Sequence, residues 1–398
     1  METTTPIPSL QATPPSAAFT AAEHAARIEA TREQMRERGL DLLVVVSPEN
    51  IYYLLGLNHQ GYFAFTVLLV PLTGPPTLVT RRMEGPTVTA QAPDCVHAPF
   101  NDAQDAGAVV VATISDITVH GASIGVECNG MFFPIATWEQ IRQSLADRQW
   151  TDASDLVEAI RVIKSPAEIA LTRRAAIISD RAMAAGVATA GPGVTETAVA
   201  ASVYRELIAS GSDYPGFAPC IRGADILRQE HVTWRDRPLP YGGGLFLELS
   251  ASAGRYHAPL TRLLHIGRAP EGVDRIAEVA LGGLNEVADR LRPGAIASDV
   301  YASWQQVINT GLGHDRYQRH HCGYLVGIGF PPSWVGGSRV VGIRPDSEFE
   351  IRAGMVFHVL SWIIDQEPTD YVVSDTVLVT ETGGEVLTTF PRDPMVIY

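Results

Sequence analysis

One pattern occurs twice in the second half of this chain. A helical run ends near Gly186, then comes Gly191-Pro192-Gly193, then a second helical run through Val199, Val203 and Leu207 that closes near Gly211. The same order returns 101 positions later. A run through Val273, Ile276, Ala280, Leu284, Val287 and Leu291 leads to Pro293-Gly294, and a run through Val300, Trp304 and Ile308 closes at Gly311. Apolar residues three and four apart give each run one buried face. Strand-like segments follow each copy, at 244–251 and 256–266 and again at 355–364 and 371–380. Helix, Pro-Gly turn, helix and strands, twice over, predict a pseudo-twofold α+β domain. Thr382-Gly383-Gly384 reads as a hairpin turn before a last strand at 386–390.

The preceding residues read as a separate α/β domain. A polar helical pattern covers 21–38, and short apolar strands are predicted at 42–46, 65–71, 76–80 and 124–127. The boundary falls near 161, because Ser165, Pro166 and Glu168 form the N-cap, first helical position and capping-box acid of a new helix. The resulting division is a Pro-, Thr- and Ala-rich mobile tail at 1–18, an α/β domain at 19–160 and the α+β domain at 161–398.

Charge and cysteine usage narrow the function. A net charge of −14 excludes nucleic acid and anionic membrane as partners, since both require a basic face. No apolar run approaches the roughly 18 residues that a membrane helix requires, and the N-terminus has no secretory pattern. Cys95, Cys128, Cys220 and Cys322 are dispersed, which suits reduced thiols in the cytoplasm.

The residues that could carry chemistry lie in the α+β domain. Glu248 sits in an apolar strand among Leu245, Phe246, Leu247 and Leu249. A carboxylate there is costly without a cationic partner. It reads either as a catalytic group facing a cationic substrate or as a buried carboxylate paired with Arg262. His231 lies in a polar loop and reads as a solvated side chain on composition alone. His358, alternating with Phe357 and Val359, is a core histidine or a substrate contact. His257 and Tyr324 carry the same two readings. Trp334 and Trp362 are core aromatics or walls of a cation pocket.

The order and spacing of these segments resemble the creatinase/prolidase/methionine aminopeptidase superfamily. Arg161-Val-Ile-Lys164-Ser165 is similar to its entry into the catalytic domain. Gly354-Met355-Val356-Phe357 is similar to a characteristic strand, and the segment from Asp375 to Gly383 to its closing hairpin. The resemblance implies a creatinase-like α/β N-terminal domain and a C-terminal catalytic domain of the pita-bread fold. The peptidases of the superfamily hold two metals with two Asp, one His and two Glu. Carried over one by one, these positions fall on Glu248, Pro259, Tyr324, Leu360 and Ser374 here. Leucine and proline side chains cannot ligate a metal, so no metal and no other cofactor is expected.

The closer likeness is to the metal-free branch, and within it to ectoine hydrolases. It rests on Phe246-Leu-Glu248-Leu-Ser250, on the segment Arg255 to Arg262, on Phe330 to Trp334 and on Gly354 to His358. Tyr371-Val372-Val373 departs from that pattern, as does the loop from Leu57 to Phe63. The resemblance implies a hydrolase that opens a small cyclic amidine such as ectoine, giving an N-acetyl diamino acid. His231 and Glu248 would be catalytic, and His257, Arg262, Tyr324, His358 and Trp334 would bind substrate. It also implies a homodimer with the active site near the subunit interface. Two alternatives stay open at this stage: an amidinohydrolase acting on an acyclic guanidino compound, and a binding protein without catalysis.

Overall fold

A computed structural model describes residues 18–337 and 339–398; residues 1–17 of the segment read as a tail lie outside the described residues. The chain divides into two compact units. One runs to Arg161 and takes in Gly337 and Arg339, and the other comprises Val162–Gly336 and Val340–Tyr398.

The first unit alternates helices and strands in the order α1 (Ala21–Glu37), β1 (Leu42–Val45), α2 (Pro48–Leu55), β2 (Val67–Pro71), β3 (Thr77–Arg81), α3 (Gly85–Gln91), β4 (Val96–Phe100), α4 (Ala106–Ile117), β5 (Ser123–Val126), α5 (Ile135–Ser144), β6 (Gln149–Asp152) and α6 (Leu156–Arg161). The strands form one mixed sheet in the order β4-β3-β2-β1-β5-β6. All four residues of β1 are buried, as expected for a central strand read from a continuous apolar run. Just beyond β5, the buried Glu127 carboxylate accepts hydrogen bonds from the backbone N–H groups of Val46 and Ser47 at 2.7 and 2.8 Å and from the Asn50 amide at 2.6 Å. It ties the end of β1 to the start of α2.

The second unit begins with α7 (Pro166–Thr189), whose Ser165–Glu168 capping box is formed in full. There follow α8 (Glu196–Ala209), β7 (Cys220–Gly223), β8 (Gly244–Leu249), β9 (Ser252–Ala253), β10 (Tyr256–His257), β11 (Leu260–Ile266), α9 (Val273–Arg290), α10 (Ala297–Leu312), β12 (Gly323–Leu325), β13 (Val356–Ile363), β14 (Tyr371–Thr380), β15 (Gly383–Val386) and β16 (Met395–Ile397). The central path of the main sheet is β12-β13-β14-β11-β8-β7. The repeat is thus two helix pairs, α7–α8 and α9–α10, each with its strands. Gly193 and Gly294 take φ of 81° and 88° at the two turns, with open space around an added Cβ. It is the left-handed backbone and not crowding that calls for glycine there.

Two strand expectations need correction. The segment 256–266 is not continuous: pairing stops after His257 and resumes at Leu260, with Pro259, which has no N–H to offer a ladder, in the gap. The closing strand begins at Gly383 and ends at Val386. Beyond it the chain turns to other partners. The Thr389 N–H and hydroxyl bind Asp180 at 2.7 and 2.9 Å, and the Thr388 hydroxyl binds Asp375 at 2.7 Å.

Candidate active site

Strand alternation decides which side chains meet. Along β8, Leu245, Leu247 and Leu249 pack into the core that includes Ile178 of α7 and Val199 of α8. Phe246 and Glu248 therefore point to the opposite face. Register then sets their neighbours. Arg222 lies opposite Phe246 and Cys220 opposite Glu248 on one side, and Thr261 lies opposite Glu248 on the other. Thr261 is itself level with Ser374, which is paired with Leu360, and Tyr324 is paired with His358.

This face floors a cavity of about 300 Å³, lined among others by His231, Glu248, Tyr324 and Trp334. That is at the small end for ligand pockets. Glu248 is 8% exposed and makes a single hydrogen bond among the described residues, accepting from the Thr261 hydroxyl at 3.3 Å. Burial pushes its carboxyl up to about 7, against the pull of Arg222 and of that hydroxyl.

Thr261 is the end of a chain of hydrogen bonds. The Trp334 indole N–H donates to Tyr324 Oη at 3.0 Å. Tyr324 Oη meets His358 Nδ1 at 2.8 Å, and His358 Nε2 meets Ser374 Oγ at 2.6 Å. The Ser374 hydroxyl donates to Thr261 Oγ1 at 2.7 Å. Because Ser374 spends its proton on Thr261, it accepts from His358, which must carry its proton on Nε2 and accept from Tyr324 on Nδ1. Every donor in the series then points toward Glu248. Burial lowers His358 to about 3 and raises Tyr324 well above its usual range, so both are neutral near pH 7.

His231 is exposed on the pocket wall, edge-on to Phe217 with ring centres 5.8 Å apart. Its φ of 58° places a non-glycine residue in the left-handed region. Such a conformation costs about 1–3 kcal/mol and clusters at functional sites.

Three residues expected to bind substrate do not line the cavity: His358 is fully buried within the relay, and Arg262 and His257 are placed elsewhere. All five N–H groups of Arg262 are engaged: Nε with the Pro391 carbonyl, Nη1 with the carbonyls of Thr261 and Ser374, and Nη2 with Asp375 at 2.9 Å and the Phe390 carbonyl. Arg262 is therefore a framework residue, and its carboxylate partner is Asp375 rather than Glu248. His257 is fully buried, with Nε2 accepting the Gly216 N–H at 2.8 Å. It does not line the pocket. Conversely, the pocket contains Arg222, Arg319 and Trp362, of which the sequence reading singled out only Trp362. An arginine in the short apolar strand Cys220–Gly223 was the one available signal. Of the cysteines, Cys322 is buried and its thiol is pushed up, which removes it as a nucleophile.

Residues 170–381 match the family model of metallopeptidase family M24, and residues 27–163 match that of the creatinase/prolidase N-terminal domain. The chain belongs to metallopeptidase family M24. Members of family M24 are hydrolases, and the two units correspond to a creatinase-type N-terminal domain and a pita-bread catalytic domain. Ectoine hydrolase of Halomonas elongata is 29% identical over 396 residues, covering 94% of this chain and 97% of that protein. Xaa-Pro dipeptidase of Pyrococcus horikoshii is 22% identical over 364 residues, covering 91% and 96%. The crystal structure of a prolidase from Thermococcus sibiricus superposes with a TM-score of 0.83 at 20% identity, covering 94% of this chain and 99% of that one, and shares the fold.

The two metals of M24 peptidases would call on Glu248, Pro259, Tyr324, Leu360 and Ser374. Leu360 offers only hydrocarbon, and the Pro259 carbonyl already accepts from the Thr376 hydroxyl at 2.8 Å. Tyr324 and Ser374 are both committed to His358. Among the described residues no group of three or more His, Cys, Asp or Glu side chains is placed to hold a metal ion. These residues do not fit a dimetal centre.

Proposed function

We propose that this chain is a metal-independent cytoplasmic hydrolase that opens a C–N bond of a small cyclic amidine, with ectoine the first substrate to test. The observation that carries this reading is the Glu248 carboxyl. It lies buried at a pocket wall with one weak hydrogen bond and a proton affinity balanced near neutral pH. A group poised there can take a proton and return it.

In the proposed reaction, ionised Glu248 takes a proton from water as its oxygen adds to the amidinium carbon. A C–O bond forms, and the electron pair of the C=N bond moves to nitrogen. The tetrahedral carbon then expels one ring nitrogen, which accepts a proton from His231 at the pocket wall, and the carbonyl of an N-acetyl group forms as the hydroxyl proton of the adduct passes to the released amine, which leaves as an ammonium. His231 regains its proton from Glu248. One water is consumed and one C–N bond is broken. The relay from Trp334 to Thr261 supports Glu248 by fixing the hydroxyl that donates to its ionised form. The likeness to ectoine hydrolase and the unfit donor set for metals support the same reading.

The test uses chelator-treated protein and ectoine, with the ring-opened product followed by NMR. Turnover that survives chelation is expected. Turnover abolished by chelation and restored by manganese overturns metal independence, and turnover of creatine in place of ectoine overturns the substrate class. The family resemblance also supports a homodimer, which light scattering of the full chain would test by a mass twice that of one chain.

A further inference from the structure

Eleven buried side-chain nitrogen and oxygen atoms lack a hydrogen-bond partner among the described residues, and five of them belong to the wall of this one cavity. They are Nε and Nη1 of Arg222, Nε of Arg319, Nδ1 of His321 and Nε1 of Trp362. Arg222 is 1% exposed and satisfies only Nη2, on the Leu227 carbonyl at 3.1 Å. A buried guanidinium with unpaired N–H groups is costly, and chance does not gather such donors in one place.

Aromatic rings hold these cations in position. Arg222 lies over the Phe246 ring at 3.9 Å, Phe246 meets Trp362 edge-on with centres 5.3 Å apart, and Arg319 lies over Trp362 at 4.4 Å. Each guanidinium group thus packs on one ring of an aromatic pair, with hydrogen-bonding edges left over. Their carboxylate neighbours do not use those edges. Glu230 approaches Arg319 at 3.4 Å through Nη2, and Glu248 acts on both arginines only at a distance. Arg222, Arg319 and Arg344 set against Glu230 and Glu248 leave the lining one positive charge in excess when both carboxylates are ionised.

We propose that Arg222 and Arg319 form a carboxylate-binding subsite beside Glu248, so that the substrate class is a zwitterion: a cationic amidine ring bearing one acid group. The inference rests on the reading of this cavity as the hydrolytic site. Guanidinium suits a carboxylate because its N–H groups can engage two oxygens at once. The two ends of such a molecule would be sorted by charge, the acid group to the arginines and the amidinium to Glu248. An uncharged ring or a dipeptide amide would leave the buried donors unpaired.

Calorimetric titration of the full chain with ectoine, and with its carboxamide as a neutral isostere, tests this directly. On the unaltered protein ectoine should bind roughly 10- to 100-fold more tightly than the carboxamide. Arg222→Met and Arg319→Gln should each remove most of that difference, and Arg222→Lys should restore only part. Equal binding of the two ligands to unaltered protein overturns the subsite, as does ectoine affinity undiminished in both folded variants. The ligand comparison needs no variant, so misfolding of Arg222→Met leaves it decisive. Ectoine that binds with this preference but is not hydrolysed overturns the hydrolytic reading and supports the subsite.

Discussion

Two buried carboxylates in this chain are pushed up to about 7 by burial, and they are built for different ends. Glu127, in the N-terminal unit, has three protein donors within 2.8 Å. Glu248, in the C-terminal unit, has one hydroxyl at 3.3 Å and an open cavity. The proton affinity is similar, and the coordination differs. A carboxylate whose lone pairs are filled by the backbone is a staple. One held by a single weak donor keeps capacity for water and substrate. A shifted pKa thus marks desolvation, and the unfilled hydrogen-bonding capacity is what separates reactive groups from structural ones.

Substitution at the two positions should break the symmetry. Glu248→Gln keeps the shape of the side chain and is expected to lower kcat by about 100- to 10,000-fold, with an unchanged circular dichroism spectrum. Glu127→Ala should leave kcat near its original value. It strands the N–H groups of Val46 and Ser47 and should destabilise the fold by about 2–3 kcal/mol, read from chemical denaturation. Inversion of these two outcomes would refute the contrast.

The relay offers a sharper test. Ser374→Ala disconnects His358 from Thr261 without touching the cavity wall, and should lower kcat by about tenfold with KM little altered. His231→Asn keeps a residue that tolerates the left-handed backbone and removes the imidazole; a similar or larger fall in kcat is expected, with an unchanged melting temperature.

The pH dependence is the smallest effect. The ionised form of Glu248 is the base, so kcat/KM of the unaltered enzyme should rise with pH through about 7. Stability runs the other way. The folded carboxyl holds its proton to higher pH than the unfolded one, so its burial is without penalty below the usual carboxylate range. The penalty grows as pH rises to about 7 and is constant beyond. Glu248→Gln should therefore melt at the same temperature as the unaltered protein near pH 4 and a few degrees higher at pH 8. A difference independent of pH would show that Glu248 does not titrate in that window.

Much of the molecule was legible in the chain. The 101-residue repeat, the capping box at Ser165 and the alternating strands are local signals, since periodicity and capping act within one or two turns. They gave the two helix pairs and most strands of the main sheet. The family likeness, and no local signal, singled out Glu248, Tyr324, Trp334 and His231, which line one pocket. What failed was pairing. Arg262 lies fourteen residues from Glu248 in sequence and belongs to Asp375, because side chains on adjacent positions of neighbouring strands face opposite sides of a sheet.

By itself, then, the sequence determined the pseudo-twofold scaffold, the absence of metal-ligating side chains at Pro259 and Leu360, and the presence of an acid in an apolar strand. Only the tertiary structure decided what that acid meets. Ser374 and Thr261 are 113 residues apart yet share a hydrogen bond, and Arg222 and Arg319 reach one aromatic pair from separate segments. Strand register brought them together, and register is a property of the folded sheet that no local pattern encodes.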